Sequence, residues 1–222
     1  TAAWRLIGPY NEVVFSQSLK SDFGAVTLHS GGTYTLLVEG SFQETEAGSY
    51  TIVVQPLSDA APSRISFGKT IRGEVALPGE TDAFTFTLDE SSLIHFDSLT
   101  QDAALTWSLE GPAGTGVENR SFTYSAASAS TAPLADLPAG EYLLTVTGSG
   151  DHTGGYAFRL LDAADARDVP FNDGAAMARG ILAPASEADL HRFTAKAGDV
   201  FSFAMQQTSD GLSGYWTLVD QY

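Results

Sequence analysis

Apolar and polar residues alternate along much of this chain with a period of two. In Ala83-Phe84-Thr85-Phe86-Thr87-Leu88, the large apolar side chains fall on one side and the threonines on the other. Tyr34, Leu36 and Val38 alternate in the same way, and so do Tyr50, Ile52 and Val54. Such runs predict half-buried antiparallel strands, and their threonine, valine and aromatic content suits a pleated surface. Turn signals separate them at short intervals, among them Gly31-Gly32, Leu77-Pro78-Gly79, Gly111-Pro112 and Gly154-Gly155. No long stretch has helical periodicity. The best helical candidate, Ala163 to Arg167, is too short to be stable alone. The pattern predicts an all-β chain of antiparallel β-sandwiches.

The strand signals also repeat. Gly73, Glu80, Asp82 and Phe86 recur as Gly180, Glu187, Asp189 and Phe193, each 107 residues on. Gly32, Tyr34 and Val38 recur as Gly140, Tyr142 and Val146, each 108 residues on. Trp4, Trp107 and Trp216 mark a third shared point, where an inner-face anchor is a more natural reading than a sugar-stacking platform. A period this long is a whole domain rather than a solenoid unit.

Polar linkers at 55–63 and 162–168 divide the chain into the C-terminal half of one repeat (1–56), a complete repeat (57–163) and the N-terminal half of another (164–222). A half sandwich exposes its inner face and its strand edges. The halves could pair within the chain, pair between molecules, or belong to permuted units at 1–104 and 105–222. The chain opens inside a repeat, so it is expected to be part of something longer.

Composition narrows the partners. The 222 residues carry a net charge of −16 and contain no cysteine, so disulfides and thiolate metal sites are excluded. Acidic excess disfavours nucleic acid, and no stretch approaches the roughly 20 apolar residues that a membrane-spanning helix needs. Carboxylates favour cations, calcium above all outside the cell, or else simply keep a secreted chain soluble.

Ile71 to Phe86, Leu137 to Val146 and Gly155-Tyr156-Ala157-Phe158 together resemble the bacterial pre-peptidase C-terminal domain. So do Asn172-Asp173, Glu187 to Phe193 and Ala197-Gly198-Asp199. The resemblance implies a jelly-roll-like sandwich without catalytic residues, found beside secreted proteases and in large surface proteins. Some members bind calcium and some bind collagen. It implies a metal set of Asn172, Asp173, Glu187 and Asp189, with only Glu80 and Asp82 matching in the complete repeat.

Asp165 and Asp168 crowd into the same stretch and would add oxygens; the alternative is an acidic linker facing water. Glu80/Asp82 and Glu187/Asp189 could also be read as catalytic pairs, but a doubled structural turn fits better than a doubled active site. The four histidines form no metal-binding spacing. Tyr10, Phe15, Phe122 and Tyr124 are candidates for an exposed binding face.

The expected protein is therefore a non-catalytic repeat segment, extracellular or on a bacterial cell surface, acting as a spacer or adhesion module. Its partners would be neighbouring repeats of the same polypeptide and an extracellular protein or glycan. The other reading is a substrate-binding accessory domain, for polysaccharide or collagen, of an exported hydrolase.

Overall fold

The computed structural model describes residues 2–43, 46–57, 61–125, 134–171, 176–205 and 216–220. Strands β1 (Ala3–Ile7), β2 (Val13–Ser18) and β3 (Thr35–Glu39) form an antiparallel sheet in the order β2-β1-β3. Trp4 meets Phe15 edge-on at 4.8 Å, and Phe15 stacks on Phe23 at 4.0 Å.

Nine further strands build a two-layered sandwich. They are β4 (Ser63–Arg64), β5 (Ile71–Val75), β6 (Thr81–Leu88), β7 (Ser92–Ser98), β8 (Leu105–Gly111), β9 (Gly114–Ser121), β10 (Ala135–Leu137), β11 (Gly140–Gly148) and β12 (Gly154–Asp162). One layer runs β4-β6-β11-β8-β9 and the other β10-β7-β12-β5. All pairings are antiparallel except β4 with β6.

The period-two pattern explains the packing. On β6 the phenylalanines and Leu88 are buried, and on β11 Tyr142, Leu144 and Val146 are. Facing them from the other layer are Val75, Ile94, Phe96, Tyr156, Phe158 and Leu160. Phe96 stacks on Trp107 at 3.9 Å and on Phe158 at 5.1 Å, tying the two layers together.

After β12 the chain makes a short 3-10 turn, Ala163–Asp165, capped by the Asp162 carboxylate accepting from the Ala164 N–H at 2.8 Å. Strand β13 (Arg167–Asp168) then pairs in parallel with β14 (His191–Arg192). Phe171 meets Phe193 edge-on at 5.9 Å.

Three expectations differ from what is found. Residues 48–57 form no strand, although Tyr50, Ile52 and Val54 alternate as a strand should. Phe122 is not on an exposed face but buried against Phe96 and Tyr156. Of the tryptophans only Trp107 is a core anchor. Trp4 is half-buried and Trp216 exposed, because each lacks the opposite layer that covers Trp107. No helix among the described residues is long and apolar enough to cross a membrane.

Candidate functional site

The acidic pairs singled out in the sequence sit where a turn feeds a strand. At Leu77-Pro78-Gly79 the chain reverses through Gly79, whose φ of +78° favours glycine. The Glu80 side chain folds back and accepts the Ala76 and Leu77 N–H groups at 2.7 and 2.8 Å. Glu187 does the same one repeat further along the chain, accepting the Ala183 N–H at 2.9 Å. Both carboxylates thus satisfy backbone donors that the turn would otherwise leave unpaired.

The second acid of each pair is associated with a glycine, Asp82 by way of the Tyr156 hydroxyl and Asp189 directly. The Tyr156 hydroxyl donates to Asp82, and burial, reinforced by that carboxylate, pushes the phenol far above its ordinary value. Gly73 makes this possible, since a Cβ there would stand 2.3 Å from the Tyr156 Oη. At Gly180 a Cβ would stand 2.3 Å from the Asp189 carboxylate. The glycine and acid are therefore together again, without a tyrosine between them.

The most deeply built polar cluster lies on the outer face of the β7–β12 pair. Asp97 and Arg159 are register partners there, and the Asp97 side chain is 0% exposed. Arg159 Nε donates to Asp97 Oδ2 at 2.8 Å, and its Nη1 donates to Glu187 Oε1 at 2.8 Å. The backbone of the following segment closes the cluster. Ala188 N–H donates to Asp97 Oδ1 at 3.1 Å, and Ala188 C=O accepts from Arg159 Nη2 at 3.1 Å. Burial holds the Asp97 carboxyl above its ordinary value, although Arg159 pulls it down. Burial works against the Arg159 charge too, yet Asp97 and Glu187 outweigh it and raise the guanidinium further. The whole arrangement binds residues 183–188 to the sandwich.

The remaining metal candidates are spread out. Asp168 pairs with Arg192 at 2.7 Å, and that hydrogen bond lowers its carboxyl below the ordinary value. Asn172 and Asp173 lie outside the described residues. Among the described residues no three His, Asp or Glu side chains gather as a cation would require. Glu187 has one oxygen on Arg159 and the other on the Ala183 N–H. Both Glu187 oxygens are thus already engaged, whereas calcium takes six to eight oxygen ligands.

Sequence reasoning did not single out Asp97, Arg159 or the Asp102–His152 pair, which meets at 2.8 Å. The usable signal was a charged residue at an outward strand position, which ordinarily means a solvated face.

No family model and no curated protein matches the chain. Among solved structures it is similar to the pre-peptidase C-terminal domain of collagenase from Bacillus anthracis. The two are 20% identical, with 49% of this chain and 99% of that one covered, at a TM-score of 0.34. The fold class, an all-β protein with a two-layered antiparallel sandwich, rests on the sheets and core themselves.

Proposed function

We propose that this chain is a non-catalytic β-sandwich segment of a secreted or cell-surface bacterial protein, serving as a spacer or adhesion module whose successive units are held in fixed relation. The observation that carries this reading is the Asp97–Arg159–Glu187 cluster. It joins a complete sandwich to the segment that follows it through a fully buried carboxylate. A hinge between independent modules needs no such group, since burying a charge is costly unless it is paired and hydrogen-bonded. The net charge of −16 suits a long exported chain that must stay clear of its neighbours.

Nitrogen-15 relaxation tests the reading. The sandwich amides and those of residues 183–192 are expected to tumble as one body, and Arg159→Leu to release the second group. Independent tumbling in the unaltered chain would defeat the spacer reading. Retention on immobilised collagen or polysaccharide would instead favour a substrate-binding accessory role.

Calcium stabilisation of the linker is the finer form of the proposal, and it would require Glu187 to exchange Arg159 for the ion. Melting with calcium and then with chelator reads it out. A midpoint that rises with calcium supports it, and an unchanged midpoint removes it.

A further inference from the structure

Two incomplete pieces flank the sandwich, and each reproduces the part the other lacks. The N-terminal piece copies the β9-β8-β11 edge as β2-β1-β3. It copies details as well. Tyr142 Oη donates to Pro138 C=O at 2.6 Å, and Tyr34 Oη to Ser30 C=O at 2.7 Å. Gly140 lies against Pro112, and Gly32 against Pro9.

The C-terminal piece copies the other half. The parallel β13–β14 pair repeats β4–β6, and the Phe171–Phe193 contact repeats Phe67–Phe86, which is edge-on at 5.5 Å. The Glu187 turn repeats Glu80, and Gly180 with Asp189 repeats Gly73 with Asp82.

Both pieces leave apolar surface uncovered. Among the described residues Tyr124 is the one exposed large apolar side chain between 57 and 163. The flanks expose Val13, Tyr50, Val54, Ile181, Val200 and Phe203, among others. In the complete sandwich the Gly73–Asp82 notch receives Tyr156, whose strand begins Gly154-Gly155-Tyr156. The N-terminal piece carries the matching Gly48-Ser49-Tyr50, with Tyr50 63% exposed.

We propose that the two flanking pieces of one chain, the β1–β3 sheet with the Tyr50 stretch and the β13–β14 segment, close on each other into a second sandwich, with the Tyr50 hydroxyl donating to Asp189 over Gly180. The other edge of β3 then pairs with β14, in the register that β11 keeps with β6. Thr145 opposite Ala83 becomes Leu37 opposite Leu190.

Closure within one chain, rather than between two, follows from where a sandwich of this kind starts and stops. Gly68 N–H donates to Leu160 C=O at 2.8 Å and β5 pairs with β12, so the chain enters the sandwich beside the strand by which it leaves. Two such units can lie side by side with both connections, 57–62 and 163–166, short. Both flanks already touch the sandwich near β12. A Cβ on Gly79, just past the end of β5 that pairs with β12, would stand 3.3 Å from the Ala25 nitrogen, and Glu187 meets Arg159 within β12. Tethering gives the partner an effective concentration in the millimolar range, on the order of a thousandfold above a micromolar second copy.

The absence of cysteine makes disulfide trapping clean. Oxidising the Leu37→Cys/Leu190→Cys chain is expected to give an intrachain bond in a monomer, at least tenfold faster than in Leu37→Cys/Thr194→Cys, whose partner lies four residues off register. Equal rates, or no bond, would overturn the proposal. So would disulfide-linked dimers from a mixture of the two single-cysteine chains, which would place the contact between copies. Nitration of the unaltered chain reads closure without any substitution. Tyr50 is expected to react at least tenfold more slowly than Tyr10 and Tyr124, and equal reactivity would overturn the assignment.

Discussion

Replacing Arg159 by methionine keeps the aliphatic stem and removes the charge, which isolates what the guanidinium does. Asp97 is then left fully buried without its guanidinium partner, the Ala188 N–H still donating to it. Breaking a buried pair from one side costs about 3–5 kcal/mol, because the surviving charge loses its compensation. For a sandwich of this size each kcal/mol moves the midpoint by roughly 4–8 °C, so a drop of well over 10 °C is expected at neutral pH.

The pH dependence gives the prediction its sign. Asp97 titrates above its unfolded value, so between the two values the folded state holds more protons than the unfolded one. Its contribution therefore favours folding below that window and weakens as pH rises through it. Removing Arg159 takes away the main downward pull on the carboxyl and extends the window upward. The variant should thus lose more stability at pH 7 than at pH 5, since the lower pH favours the protonated form of Asp97. Urea unfolding followed by tryptophan emission at both pH values is the assay. A loss under about 1 kcal/mol at pH 7, below the range expected for a broken buried pair, or the same loss at both pH values, would refute the reasoning.

Other consequences are simpler to check. Gly73→Ala should destabilise by about 1–3 kcal/mol, as overpacking does, because its Cβ meets the Tyr156 hydroxyl. Adding Tyr156→Phe should recover part of that loss in the same urea titration. Leu144→Ala, at a fully buried position between the layers, should cost about 2–5 kcal/mol by thermal or urea unfolding. Burial would raise the Asp102 carboxyl, but the His152 and Ala104 hydrogen bonds outweigh it and lower the pKa. Its stabilising contribution is therefore present above the unfolded value and lost as pH falls through the folded one. His152→Ala should move its carbon-13 titration upward, and an unmoved curve would remove the pair.

The sandwich was legible because its strands obey one rule. Side chains two apart face the same way, so Phe84, Phe86 and Leu88 reveal the core face directly. The Tyr50 stretch obeys the same rule, yet it forms no strand here. Alternation states which face is apolar but not whether a partner strand is present, and β12 has β5 and β7 on either side. Function was harder to read for a related reason. Glu80 and Glu187 look like ligands in a list of acids, but each carboxylate is turned onto its own turn's backbone. Asp97 and Arg159 went unnoticed, because no local pattern reveals that residues 183–188 cover them.

The central claim is that this cover is part of the fold and not a passing contact. Native-state hydrogen exchange at Ala188 tests it most directly, since that amide donates to the buried Asp97 carboxylate. The account predicts protection comparable to the amides of β7 and β12, lost in the Arg159→Met chain. Exchange at the rate of an unprotected amide in the unaltered protein would contradict it.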